Sequence, residues 1–147
     1  GVTNNTNNTN NTNNTNNTNN TNNTNNTNNH IKYEGKFTDM VFKSEGIVCF
    51  PLRYIPDIPD YIESRFYYRA RLTEEYFPST VNVLYFELSE GATAYVSSKK
   101  QVSGVTEHDF AEGILYTIIS QDGNDVHTYE IKVLLENVGN CEPEGSK

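Results

Sequence analysis

The chain has 147 residues and a formal net charge of −8, and all its Lys, Arg, Asp and Glu side chains lie after residue 30. A domain this acidic lacks the clustered cations that neutralise phosphates, so the sequence predicts no nucleic-acid partner. No run approaches the roughly 18 apolar residues of a membrane span, and no basic stretch followed by an apolar one opens the chain.

Residues 3 to 29 repeat Thr-Asn-Asn without interruption, from Thr3-Asn4-Asn5 to Thr27-Asn28-Asn29. The repeat has no charge and no apolar surface beyond threonine methyls, so it cannot offset a backbone ordering cost of roughly 1 to 2 kcal/mol per residue. Its period of three matches neither a helix nor a strand with one buried face. A polyproline II arm fits the period, placing the threonines on one edge and spanning roughly 80 Å. The repeat also contains eight Asn-x-Thr signatures, at Asn4, Asn7, Asn10, Asn13, Asn16, Asn19, Asn22 and Asn25, which are candidate glycan acceptors. Three readings of this arm stand side by side: an unmodified linker, a glycosylated extended arm, and a segment whose Asn side chains stack between chains. The opening Gly is what a processed chain would show, and equally what a tag remnant would leave.

Past the repeat about 118 residues remain, enough for one core and too few for two. Ile31-Lys32-Tyr33 is an apolar-edged segment suited to pairing with a neighbouring strand, which makes Ile31 and Tyr33 interface candidates. Strand-like runs follow at Phe37 to Lys43, Ile47 to Phe50, Arg65 to Leu72, Val81 to Leu88, Ala94 to Val96, Gln101 to Val105, Leu115 to Ser120 and Thr128 to Leu135. Ser44-Glu45-Gly46 reads as a turn, and Pro56 and Pro59 make Tyr54 to Asp60 a loop. Asp122-Gly123 between the last two runs is the strongest hairpin signal. Strands at this spacing without helical periodicity predict an all-β fold, an antiparallel β-sandwich of about seven or eight strands. The predicted organisation is an arm over 1–29, the sandwich over 30–140 and a polar tail over 141–147.

Alternation in the Arg65 run puts Arg65, Tyr67, Arg69 and Arg71 on one face and Phe66, Tyr68, Ala70 and Leu72 on the other. Inside an acidic domain the first face is a basic, aromatic patch. It suits either an acidic patch on an identical neighbour or stacking on a glycan. Cys49 and Cys141 are 141 − 49 = 92 positions apart. A bridge would tie the C-terminus back to an early strand and imply an oxidising compartment, while two buried thiols are the alternative. His30, His108 and His127 lie in separate segments without metal-ligand spacing. Asp122 and Asp125 bracket a turn but lack the further carboxylates of a calcium loop. The expectation is no cofactor, no metal and no catalytic residue.

One further signal comes from Phe86-Glu87-Leu88-Ser89-Glu90-Gly91-Ala92, Gln101-Val102-Ser103-Gly104-Val105, Asp109-Phe110, Tyr116-Thr117-Ile118 and Tyr129-Glu130-Ile131-Lys132-Val133. In that order these resemble the Ig-like or cadherin-like sandwich repeats of Bacteroidetes surface proteins. The resemblance covers about 50 residues closely and implies a single Ig-like sandwich on the extracellular side. It implies a spacer or binding role, supplies no catalytic residue, and leaves the first half of the domain unmatched. A lone domain with a long arm suggests a subunit of an extracellular fibre whose partners are identical copies. A cell-surface adhesion module on a stalk, recognising a glycan or protein, is the alternative.

Overall fold

The computed structural model describes residues 31–145. The repeat and its eight candidate asparagines lie outside the described residues. The chain divides into two units between Lys32 and Tyr33, and the architecture below belongs to the second.

That unit is all-β, with no helix among the described residues. Twelve strands follow in order. They are β1 (Phe37–Ser44), β2 (Ile47–Cys49), β3 (Leu52–Arg53), β4 (Arg65–Thr73), β5 (Val81–Val83) and β6 (Tyr85–Leu88). Then come β7 (Thr93–Val96), β8 (Lys99–Lys100), β9 (Glu107–Asp109), β10 (Ile114–Ile119), β11 (Val126–Glu136) and β12 (Cys141–Pro143). A six-stranded sheet has the order β8-β7-β10-β11-β4-β3, a four-stranded sheet the order β12-β2-β1-β6, and β9 pairs with β5 alone.

The strongest turn signal forms as its residues dictate. The Asp122 carboxylate accepts hydrogen bonds from the Ser120 hydroxyl at 2.7 Å and the Asn124 N–H at 3.1 Å, closing β10 on β11 from Ile119 opposite Val126. Asx-type bonding of this kind is why Asp favours such turns.

Four expectations need correction. First, the sheet is mixed rather than antiparallel, because β4 and β11 run parallel from Arg65 opposite Thr128 to Thr73 opposite Glu136. Parallel neighbours need a long crossover. Residues 74–125 supply it by passing through the other strands. Period-two alternation is the same in either direction, so the sequence could not distinguish them. Second, the Val81 to Leu88 run is two strands that change partner at buried Leu84: Val83 lies opposite Glu107, and Tyr85 opposite Val41.

Third, Gln101 to Val105 is a turn, not a strand. The Val105 and Thr106 N–H groups both reach the Val102 carbonyl, so Ser-Gly turn chemistry overrides the valines. Fourth, Cys141–Pro143 is no tail: it pairs with β2, with Cys141 opposite Cys49 and Pro143 opposite Ile47. The strand count rises above eight because these breaks and the flanking strands add short pieces.

The core combines Ala70, Leu72, Tyr116, Ile118, Tyr129, Ile131 and Val133 of the six-stranded sheet with Phe42 and Cys49 of the four-stranded one. Phe37 on β1 packs edge-on against Phe86 at 5.5 Å, Tyr116 at 5.5 Å and Tyr129 at 4.8 Å, joining the two sheets through rings. This unit is thus layered and sandwich-like around an aromatic centre.

Candidate interaction surface

The alternation expected for the Arg65 run sets its two faces. Ala70 and Leu72 are fully buried in the core, and Arg65, Tyr67, Arg69 and Arg71 share the opposite face. That face is not an open basic patch. Tyr67 is only 2% exposed, because residues 54–62 fold over it. Its hydroxyl accepts the Ile62 N–H at 3.1 Å, and its ring lies 5.5 Å from Tyr61 and 6.4 Å from Tyr54.

The arginines are spoken for within the chain. Arg65 Nη1 donates to Glu130 Oε1 at 3.2 Å and Arg71 Nη1 to Glu136 Oε2 at 2.7 Å. Each pair is a diagonal neighbour across the β4–β11 ladder. Arg69 lies over the Tyr54 ring at 4.2 Å. Burial pushes the Tyr54 phenol up, with the Arg69 charge opposing it. The four predicted interface residues of β4 are therefore brought together, but as a strip largely paired within the chain, with Arg65 Nε left buried and without a hydrogen-bond partner. The parallel pairing that supplies Glu130 and Glu136 was the missing information.

What the fold exposes instead is the cover itself. Leu52, Ile55, Ile58, Tyr61 and Ile62 all stand in solvent, Ile55 at 78%. Asp57, Asp60 and Glu63 alternate with them and are also exposed. The signal was present in the sequence as three successive triplets, Ile-Pro-Asp, Ile-Pro-Asp and Tyr-Ile-Glu. Apolar patches of this kind on a folded surface mark interaction sites.

Ile31, just before the sandwich unit, is largely exposed, and Tyr33 is half-buried. Cys49 and Cys141 form a disulfide. It joins β2 to β12, and the segment before β12 is fastened again where the Asn140 N–H meets the Arg71 carbonyl at 2.8 Å. A shallow groove of about 260 Å³ runs beside this bridge, walled by Ile47, Tyr76, Val138 and Pro143.

His108 and His127 serve structural bonds, and His30 lies outside the described residues. His108 Nε2–H donates to the Gln101 side-chain carbonyl at 2.6 Å, and burial lowers the pKa of its imidazole. His127 Nδ1–H donates to the Gly35 carbonyl at 2.8 Å. Asp109 is held below the usual carboxylate range by the Thr80 hydroxyl and the Ala111 N–H. The Ser120 hydroxyl and the Asn124 N–H do the same for Asp122. Among the described residues no three His, Cys, Asp or Glu side chains gather as a metal site, and no helix is long and apolar enough to cross a membrane.

No protein-family model matches the chain, and a search of curated proteins finds no match. Among solved structures it is similar to a protein from Bacteroides thetaiotaomicron VPI-5482 described as a "putative glycoside hydrolase", at 19% identity and a TM-score of 0.46. The likeness covers 74% of this chain and 27% of that one, so this chain spans about a quarter of that protein's length. A likeness at that level carries no argument about activity.

Proposed function

We propose that this chain is a structural subunit of an extracellular filament whose repeating unit is a single Ig-like sandwich, the six-stranded sheet packed on the four-stranded one. The subunit is secreted and non-catalytic. The Thr-Asn-Asn arm, with or without glycans on its asparagines, runs along neighbouring copies.

The observation that carries this reading is the Cys49–Cys141 disulfide. Such bridges persist in oxidising, extracytoplasmic compartments. This one fastens the last strand to the first hairpin, so β1, β2 and β12 lie side by side where the chain enters and leaves the domain. Tension passed along a fibre through the two ends of the domain would meet a covalent clamp there. His108, His127, Arg65 and Arg71 support the same reading, since their bonds brace strands and turns.

Electron micrographs of full-length protein and of a version lacking Thr3 to Asn29 test the proposal. Filaments from the full chain, shortened or lost without the arm, are the expected result. Isolated particles of single-domain size from the full chain at every concentration would overturn it.

A further inference from the structure

The six-stranded sheet ends in two different edges. At one, β3 leads straight into the segment 55–63, which carries three carboxylates, Asp57, Asp60 and Glu63, and no cation. Among them stand the exposed Ile55, Ile58, Tyr61 and Ile62. At the other edge, β8 places Lys99 and Lys100 in solvent. The turn that follows exposes Val102 at 52% and Val105 at 68%, and residues 97–105 contain no carboxylate. One edge is apolar and acidic; the opposite one is apolar and basic.

Two other charges stand beside these segments and reduce the contrast without reversing it: Arg53, over the Phe66 ring at 4.6 Å, is one cation next to three carboxylates, and the exposed Glu107 is one carboxylate next to two lysines. Ser97 and Ser98, at φ of 49° and 67°, form the two-residue hairpin turn that sets Lys99 opposite Val96.

From these observations we infer that the partner of each edge is the opposite edge of a second copy of this chain, the 55–63 segment of one docking on the 99–105 segment of the next. The inference rests on the filament reading and names its contact surfaces. Two different patches on opposite edges make a heterologous contact, which propagates without closing unless a ring rotation intervenes. Five inter-strand spacings, about 24 Å, separate β3 from β8, and each copy would advance the filament by that width plus the side-chain contact between copies. The contact is made by side chains rather than by adding a strand, because lysines on an edge strand discourage backbone pairing. Ile and Val side chains fill it, and the opposed charges fix its polarity and speed encounter.

The test uses full-length protein in three forms besides wild type: Asp57→Lys with Asp60→Lys, Lys99→Asp with Lys100→Asp, and all four changes together. Assembly is read by light scattering and sedimentation at about 50 mM salt, with circular dichroism confirming that each form is folded. Wild type should assemble, and each paired variant alone should assemble at least about tenfold less, since like charges then face each other. An equimolar mixture of the two paired variants should recover assembly, because every contact in an alternating polymer is again of opposite sign, and the fourfold variant should recover it alone. Paired variants that assemble as well as wild type would overturn these surfaces while leaving the filament reading intact. Weakened variants that neither the mixture nor the fourfold change rescues would overturn the charge pairing. Wild type that remains monomeric would overturn both the inference and the function beneath it.

Discussion

The centre of the six-stranded sheet and the edge of the four-stranded one are stabilised in different ways. In the centre, β4 and β11 pair over nine positions, and their opposed side chains supply both the core face and the Arg65–Glu130 and Arg71–Glu136 ion pairs. In the flanking layer, β2 and β12 share only three positions. There a disulfide and one close backbone approach do what a long ladder does elsewhere. Gly139 lies so near the β4 backbone that a Cβ would collide with the Arg71 carbonyl oxygen and come within 2.8 Å of the Thr73 nitrogen. Long strands tolerate the loss of any single side-chain pair; short ones depend on single features.

That contrast predicts a graded response. Replacing both Cys49 and Cys141 with Ala releases a 92-residue loop and should cost about 4 to 5 kcal/mol in the chain-entropy model, read from urea unfolding. The single change Gly139→Ala should cost about 1 to 3 kcal/mol, because the backbone it presses on has to move. A result near zero would mean that the segment before β12 is not seated on β4.

A pH dependence probes the region between the two layers. Burial lowers the His108 pKa, so the folded state favours the neutral ring. Its stabilisation is complete above the unfolded value of about 6.5 and is lost as pH falls from there toward the folded pKa. The unfolding midpoint should therefore drop between about pH 7 and 5, and His108→Gln should remove part of that drop. An unchanged pH profile in the variant would contradict the assignment.

In the centre the smallest effect is expected. Arg71→Ala removes a pair whose side chains are each about a third exposed, at 37% and 34%. Its cost should stay below about 1 kcal/mol, screened further by salt. A loss as large as that of the disulfide would erase the distinction between the two regions.

Much of the all-β reading was legible because it depends on local alternation and turn residues. Phe37 to Lys43, Arg65 to Leu72 and the Asp122-Gly123 hairpin were readable for that reason. What escaped depends on partners distant in sequence. Nothing near Arg65 or Arg71 announces that Glu130 and Glu136 arrive beside them in parallel. The apolar residues of 54–62 could not reveal from sequence that Tyr67 would be covered while Ile55 would not. Val102 and Val105 look like strand residues until the Ser103-Gly104 turn is seen to hold them outward.

The central claim is self-assembly of identical copies, and it is most directly tested by sedimentation velocity of the full chain over a concentration series at low salt. Open-ended growth gives a sedimentation coefficient that keeps rising with concentration. A single species of 16.7 kDa at all concentrations would contradict it.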